Sequence, residues 1–127
     1  MNTFEKEVSY IAVGYNTDSE KAEETQVTKI ATFKELSRLD PNQHKLHFKL
    51  ISLFEGLDKG EDEGMGISSD GLYDITVKAI NILFVPTDAF TELDKKDFLK
   101  DSIALLEFGM WLFKEKFSVF FSAFKKS

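Results

Sequence analysis

The sequence predicts an α+β protein, mostly α, in which an N-terminal β-hairpin is followed by three or more helices ending in a long aromatic C-terminal helix. Three observations carry that expectation. β-branched and aromatic residues alternate through the first third of the chain, an Asp-Pro pair at 40–41 opens a helical rhythm, and seven of the thirteen phenylalanines fall between Phe98 and Phe124 at helical spacing.

The segment Glu7 to Tyr15 sets Val8, Tyr10 and Ala12 against Ser9, Ile11 and Val13, an alternation that reads as a strand with both faces partly apolar. The polar stretch NTDSEKAEET then has no apolar period, and Gln26 to Phe33 favours extended structure again. A strand, a connection of about ten residues and an antiparallel second strand are expected. Helix over residues 26 to 38 stays open as an alternative, because Phe33, Leu36 and Leu39 fall near helical spacing. The first firm helix starts at Asp40, with a side-chain acceptor at the N-cap, Pro41 at the first helical position and Gln43 placed to close a capping box. Leu46, Leu50, Leu53 and Leu57, with Phe48, Ile51 and Phe54 alongside, predict one wide buried face and an end near Gly56 to Gly60.

Residues 55–71 hold five of the seven glycines and most of the surplus acid, so a flexible acidic loop is expected over about residues 56–70. Helix resumes near Ser69. Leu72, Ile75, Ala79, Ile82 and Leu83 make one face and Tyr73, Val77, Ile80 and Phe84 another, which places this helix centrally in the packing until Pro86 stops it. Thr91-Glu92-Leu93-Asp94 is an acidic capping box for the last helix. There Leu99, Ile103, Leu106, Met110, Phe113, Phe117, Phe120 and Phe124 form an unbroken heptad stripe, and Phe98, Leu105, Phe108, Leu112 and Val119 lie on an adjoining face. Helical from about residue 92 to 124, the segment is roughly 50 Å long and is expected to extend past its own core.

At 127 residues the chain suits one domain, with a β-rich part over about 5–35 and a helical part over about 40–124. No apolar run approaches the roughly 18 to 20 residues of a membrane span, and MNTFEKEVSY lacks the basic patch and apolar run of a secretory signal, so none is expected. The absence of cysteine excludes disulfides and thiolate metal sites, and a reducing cytosol is the simplest location. Of the net charge of −6, residues 55–74 alone carry the whole excess, seven acids against one lysine. No gathering of basic side chains of the kind that displaces counterions from nucleic acid appears, and no nucleic-acid partner is expected.

Catalytic motifs are absent. The chain has no nucleophile elbow, phosphate-binding loop or dinucleotide fingerprint, and it is expected to be non-enzymatic, without cofactor or metal. Gly64-Met65-Gly66 follows no strand and sits among acids that would repel a phosphate. Asp40, His44 and His47 would share a helix face at i, i+4 and i+7, but a capping aspartate beside two imidazoles accounts for them without a metal. Glu61-Asp62-Glu63 fails the calcium-loop pattern. The phenylalanine stripe is divided between core and an intermolecular surface, with Met110, Phe113, Phe117, Phe120, Phe121 and Phe124 as the partner-binding candidates.

From Leu36 to Ser127 the organisation resembles that of the tail assembly chaperones of long-tailed bacteriophages. The resemblance rests on an Asp-Pro capped helix, the acidic glycine loop, a helix ending in Val85-Pro86-Thr87, and Thr91-Glu92-Leu93-Asp94 leading into a long aromatic helix. Lys125-Lys126 before the terminal Ser127 also suits the adenine-rich slippery sequence at which that family shifts reading frame. The resemblance implies a chaperone in the host cytoplasm that covers apolar helical stretches of the tape measure protein, helps recruit tail tube subunits and forms a homo-oligomer. Changing Phe117 and Phe120 to Asp would then spare the fold and abolish client capture. Two rivals are a structural oligomeric virion component and a small acidic phage regulator that binds a host protein.

Overall fold

Alternate residues of a strand face opposite ways, so Phe4, Val8 and Tyr10 of the first strand line one side and are buried there. A computed structural model describes residues 2–16, 21–58 and 69–119. Strand β1 (Thr3–Asn16) pairs antiparallel with β2 (Lys21–Lys34) in one uninterrupted register from Thr3 opposite Lys34 to Asn16 opposite Lys21. At about 3.3 Å per residue the hairpin is about 45 Å long. Helix over residues 26 to 38 is thus excluded. The polar connection expected between the strands is also mostly ladder, with Lys21 to Thr25 paired to Asn16 through Ala12. Backbone pairing propagated from the apolar half carries these residues along, because the ladder's hydrogen bonds are made by the main chain and not by the side chains.

Ala31 and Phe33 of β2 join the buried side of β1, and the opposite side, with Ile11, Val13 and Ile30, stays exposed. A short β3 (Phe84–Val85) pairs with Thr32 and Phe33, giving the sheet order β1-β2-β3 with β1 at a free edge. After β2 the chain turns through a 3-10 segment, Pro41–Gln43, into α1 (His44–Asp58). Asp40 caps as expected, its Oδ1 accepting from the Asn42 N–H at 2.9 Å. Gln43 does not close a capping box. Its side chain is buried and ties the turn together instead, accepting from Ser37 N–H and donating to the Glu35 carbonyl, both at 3.0 Å.

Leu46 and Leu50 of α1 are buried, but Phe48 is 69% exposed and Ile51 is exposed, so the buried face is narrower than the sequence predicts. Phe54 and Leu57 lie outside the described side chains, and the acidic loop lies outside the described residues over 59–68. Helix α2 (Ser69–Leu83) is central, touching α1, the sheet and the final helix. Ile75, Thr76, Ala79, Ile80 and Leu83 are buried along it. The chain then runs through α3 (Glu92–Phe98) and α4 (Ser102–Leu112) to a π-helical turn, Phe113–Phe117. The architecture is α+β, mostly helical, with an N-terminal antiparallel strand pair and an aromatic C-terminal helix. None of the described helices is long and apolar enough to cross a membrane.

Where α2 and α4 meet, Gly109 is buried, and a Cβ built there would collide with the Thr76 hydroxyl oxygen. That hydroxyl is held by donating to the Leu72 carbonyl at 2.6 Å, so it has little freedom to retreat. Gly109→Ala should therefore destabilise by about 1–3 kcal/mol despite alanine's better helix propensity. Adding Thr76→Ala should return part of that loss, and urea unfolding of the two single variants and the double variant would measure the coupling.

Candidate functional site

The C-terminal segment is two helices rather than one rod from residue 92. Thr91 and Asp94 form the expected capping box, Asp94 N–H donating to the Thr91 hydroxyl at 3.2 Å and Thr91 N–H to the Asp94 carboxylate at 2.9 Å. Burial pushes the Asp94 carboxyl up, but the Thr91 N–H and the Lys29 ammonium, paired to it at 2.9 Å, outweigh that and hold it below the ordinary value. The pair fastens the start of α3 to β2. After seven residues α3 tightens, Lys100 N–H donating to Asp97 and Asp101 N–H to Phe98 three residues back, and the chain turns.

Asp101 then starts α4. Its Oδ1 accepts from Ala104 N–H at 3.1 Å as the N-cap, while Oδ2 accepts from the Ile11 N–H of β1 at 2.8 Å. One carboxylate thereby caps a helix and satisfies a donor on the free edge of the sheet. The signal was present in the sequence as Asp101-Ser102 between Leu99 and Ile103, but it sits inside an unbroken apolar rhythm that reads as one helix.

Helix α4 is apolar on nearly every side. Its inward face is the adjoining set, Leu105, Phe108 and Leu112, together with Ala104 and Gly109, all buried with Phe98 of α3. The heptad stripe faces outward: Ile103 is 70% exposed and Met110 63%, with Leu99, Leu106 and Phe113 half-buried beside them. Phe117 leaves that stripe. It is 1% exposed and belongs to the core, which corrects the expectation that it lies on the contact surface.

The π-turn is the reason. From Leu112 a regular helix would bring Glu115 or Lys116 inward next, and a five-residue step brings Phe117 instead. Ser118 N–H donates to Phe113 O, the i to i−5 bond that marks the extra residue. Lys116 lands beside the core rim, its ammonium 3.0 Å from Glu35 and 4.3 Å from the centre of the Phe4 ring. The charged triplet Lys114-Glu115-Lys116 was the available sign that the phase had to change. Of the partner-binding candidates, Met110 is exposed, Phe113 is half-buried against the core and Phe117 is inside; Phe120, Phe121 and Phe124 lie outside the described residues.

Asp40, His44 and His47 do not gather: no group of three or more His, Asp or Glu suited to a metal ion occurs among the described residues. Asp40 is engaged in capping, His44 is exposed and His47 is buried. Compared with known proteins, the chain matches no family model, no curated protein and no solved structure.

Two outcomes follow. Phe117→Ala should destabilise by about 3–5 kcal/mol in chemical unfolding, and Phe117→Asp should prevent folding, whereas Met110→Asp should change stability by less than about 1 kcal/mol. Burial, reinforced by the nearby His44 and partly opposed by Asp40, lowers the His47 pKa below its ordinary value. The unfolded chain then binds the proton more readily, so stability should fall as pH drops below about 6.5 and level off once His47 is protonated in the fold. Thermal melts between about pH 7.5 and 5 should show a smaller loss for His47→Gln than for the parent.

Proposed function

We propose that this chain is a non-enzymatic chaperone of phage tail assembly, which covers apolar helical stretches of a tape measure protein with the outward face of α4. The observation that carries the reading is the exposure of Ile103 and Met110, with Leu106 and Phe113 half-buried between and beyond them, on a helix whose other side is already fully used by the core. A soluble partner helix with its own apolar stripe would lie along this face and exclude water from both. Each 100 Å² of apolar surface so covered contributes about 2.5 kcal/mol before the losses of association, which suits a contact that later subunits displace.

The resemblance in organisation over residues 36–127 supplies the identity of the client: a long helical chain that aggregates unless covered before the tail tube surrounds it. Recruitment of tube subunits, assembly of the chaperone with further copies of itself and action in the host cytoplasm belong to the same proposal. A structural oligomer is the second reading. It is favoured by the exposed side of the hairpin, where Ile11, Val13 and Ile30 have no covering layer among the described residues.

The deciding experiment is co-expression of a phage tape measure protein with the parent chain and with Ile103→Asp/Met110→Asp. The variant should melt within a few degrees of the parent yet fail to co-purify with the client, which should precipitate. Equal capture by both chains would overturn the proposal. A mass that rises with concentration in the parent alone, with no client bound, would establish the structural oligomer.

A further inference from the structure

Between the free edge of β1 and helix α4 lies a cleft whose main-chain side is unpaired. In an antiparallel ladder alternate residues turn their N–H and C=O groups toward the partner strand and the others turn them away. The Ile11 N–H donates to Asp101 and not to β2, so Ile11 belongs to the second set. The register is unbroken, so the main-chain groups of Glu5, Glu7 and Ser9 face away from β2 as well, and among the described residues no hydrogen bond meets them. Asp101 closes the row at Ile11, which leaves an open run from Thr3 to Ser9 of about 23 Å.

Beside this row is a cavity of about 90 Å³, with Val8 on the strand side and Phe98, Ala104, Phe108 and Trp111 as its apolar wall. An apolar cavity that admits benzene is about 150 Å³, so this one suits a small aliphatic side chain rather than a ring. Of the charged residues in its lining, Lys6 stands over the Trp111 ring at 5.0 Å from its centre, and Glu7 and Glu107 outnumber it. The outer side of β1 is acidic at the same level. Glu5 and Glu7 are exposed there, opposite Thr32 and Ile30 of β2, and neither forms an ion pair among the described residues.

We propose that this edge takes up an extended basic segment of a partner protein as a further antiparallel strand, with lysine or arginine side chains beside Glu5 and Glu7 and a small aliphatic side chain between them in the cavity. Three features select that occupant. The unpaired row requires an extended chain, because a strand presents N–H and C=O groups at the matching repeat and a helix spends its own internally. The cavity lies on the inner side of the strand and the acids on the outer side, so the added chain alternates apolar and basic residues. The net charge of −6 attracts a partner of that sign. A second copy of β1 is a poorer occupant, since antiparallel self-pairing lays its own Glu5 and Glu7 on the face that already carries these two.

The probe is a synthetic peptide of about nine residues in which lysine alternates with valine, followed by fluorescence anisotropy with the full chain in about 50 mM salt. Binding in the range of about 10–100 μM is expected, and a peptide of the same composition with its lysines bunched at one end should bind at least about tenfold more weakly. Glu5→Lys/Glu7→Lys should weaken binding at least about tenfold and should take up the version with glutamate in place of lysine. If that variant unfolds, Glu5→Gln/Glu7→Gln should still show a loss of about fivefold. In antiparallel addition the lysine N–H groups of the peptide face β1, so methylating those main-chain nitrogens should abolish binding, whereas methylating the valine nitrogens should leave at least about half of the affinity. Equal binding of the alternating and bunched peptides, indifference to the Glu5 and Glu7 substitutions, or full binding by the lysine-methylated peptide would overturn the proposal. No client protein enters the measurement, so its outcome stands apart from that of the co-expression.

Discussion

The stack of Phe33 on Phe108, with ring centroids 5.1 Å apart, joins the long strand pair to the aromatic helix α4, and the remaining described elements are arranged around it. Phe33 also contacts Phe4 across the hairpin and Phe84 of β3, while Phe108 contacts Phe98 and Trp111. Phe90 closes the set by touching Phe84, Phe98 and Tyr10. The inner face of the hairpin, with Phe4, Val8 and Tyr10, cannot stand without a cover, so the inward side of α4 is committed to it. That commitment leaves the equally apolar outer side of α4 with nothing from this chain to cover it among the described residues. The candidate site is therefore the remainder of the packing problem rather than an addition to it.

Two local devices make the cover fit. Asp101 lets the chain change direction between α3 and α4 without stranding a backbone donor, and in the same contact it secures one N–H of the sheet's open edge. The π-turn resets the helical phase so that Phe117 replaces a charged residue at the core. Both are departures from regular geometry placed where the regular alternative would bury a charge or leave a donor unsatisfied.

Much of the architecture was legible in the residues. The strand alternation around Tyr10, the Asp40-Pro41 start, the centrality of the Leu72–Leu83 helix and the Thr91–Asp94 box all rest on local signals, and local signals survive folding. The errors arose where tertiary contact overrode a local rule. Lys21 to Thr25 have weak strand propensity and are paired because their neighbours are. The Gln43 side chain satisfies backbone groups of the preceding turn as well as donating to the Asp40 carboxylate, and no spacing within its own helix could announce the former. The apolar stripe of the last helix was found, and over residues 102–113 its inner and outer parts divide around the helix circumference, because an α-helix buries a side. Phe117 is the exception that the five-residue step explains. Close approach of Gly109 to Thr76 links two helices far apart in sequence and had no signature in either.

The length of the hairpin has a further consequence. Helices cover its base, where Phe4, Val8, Ala31 and Phe33 are buried, but toward the far end Val13, Gly14, Glu23, Glu24 and Thr25 are exposed. A bare two-stranded ribbon is marginal in water. Its amides should then exchange with solvent in a graded order, fastest near Val13 and slowest near Phe33, so the ladder behaves as a zipper anchored at one end. The loose end gives the molecule a reach of several residues at little thermodynamic cost to its body.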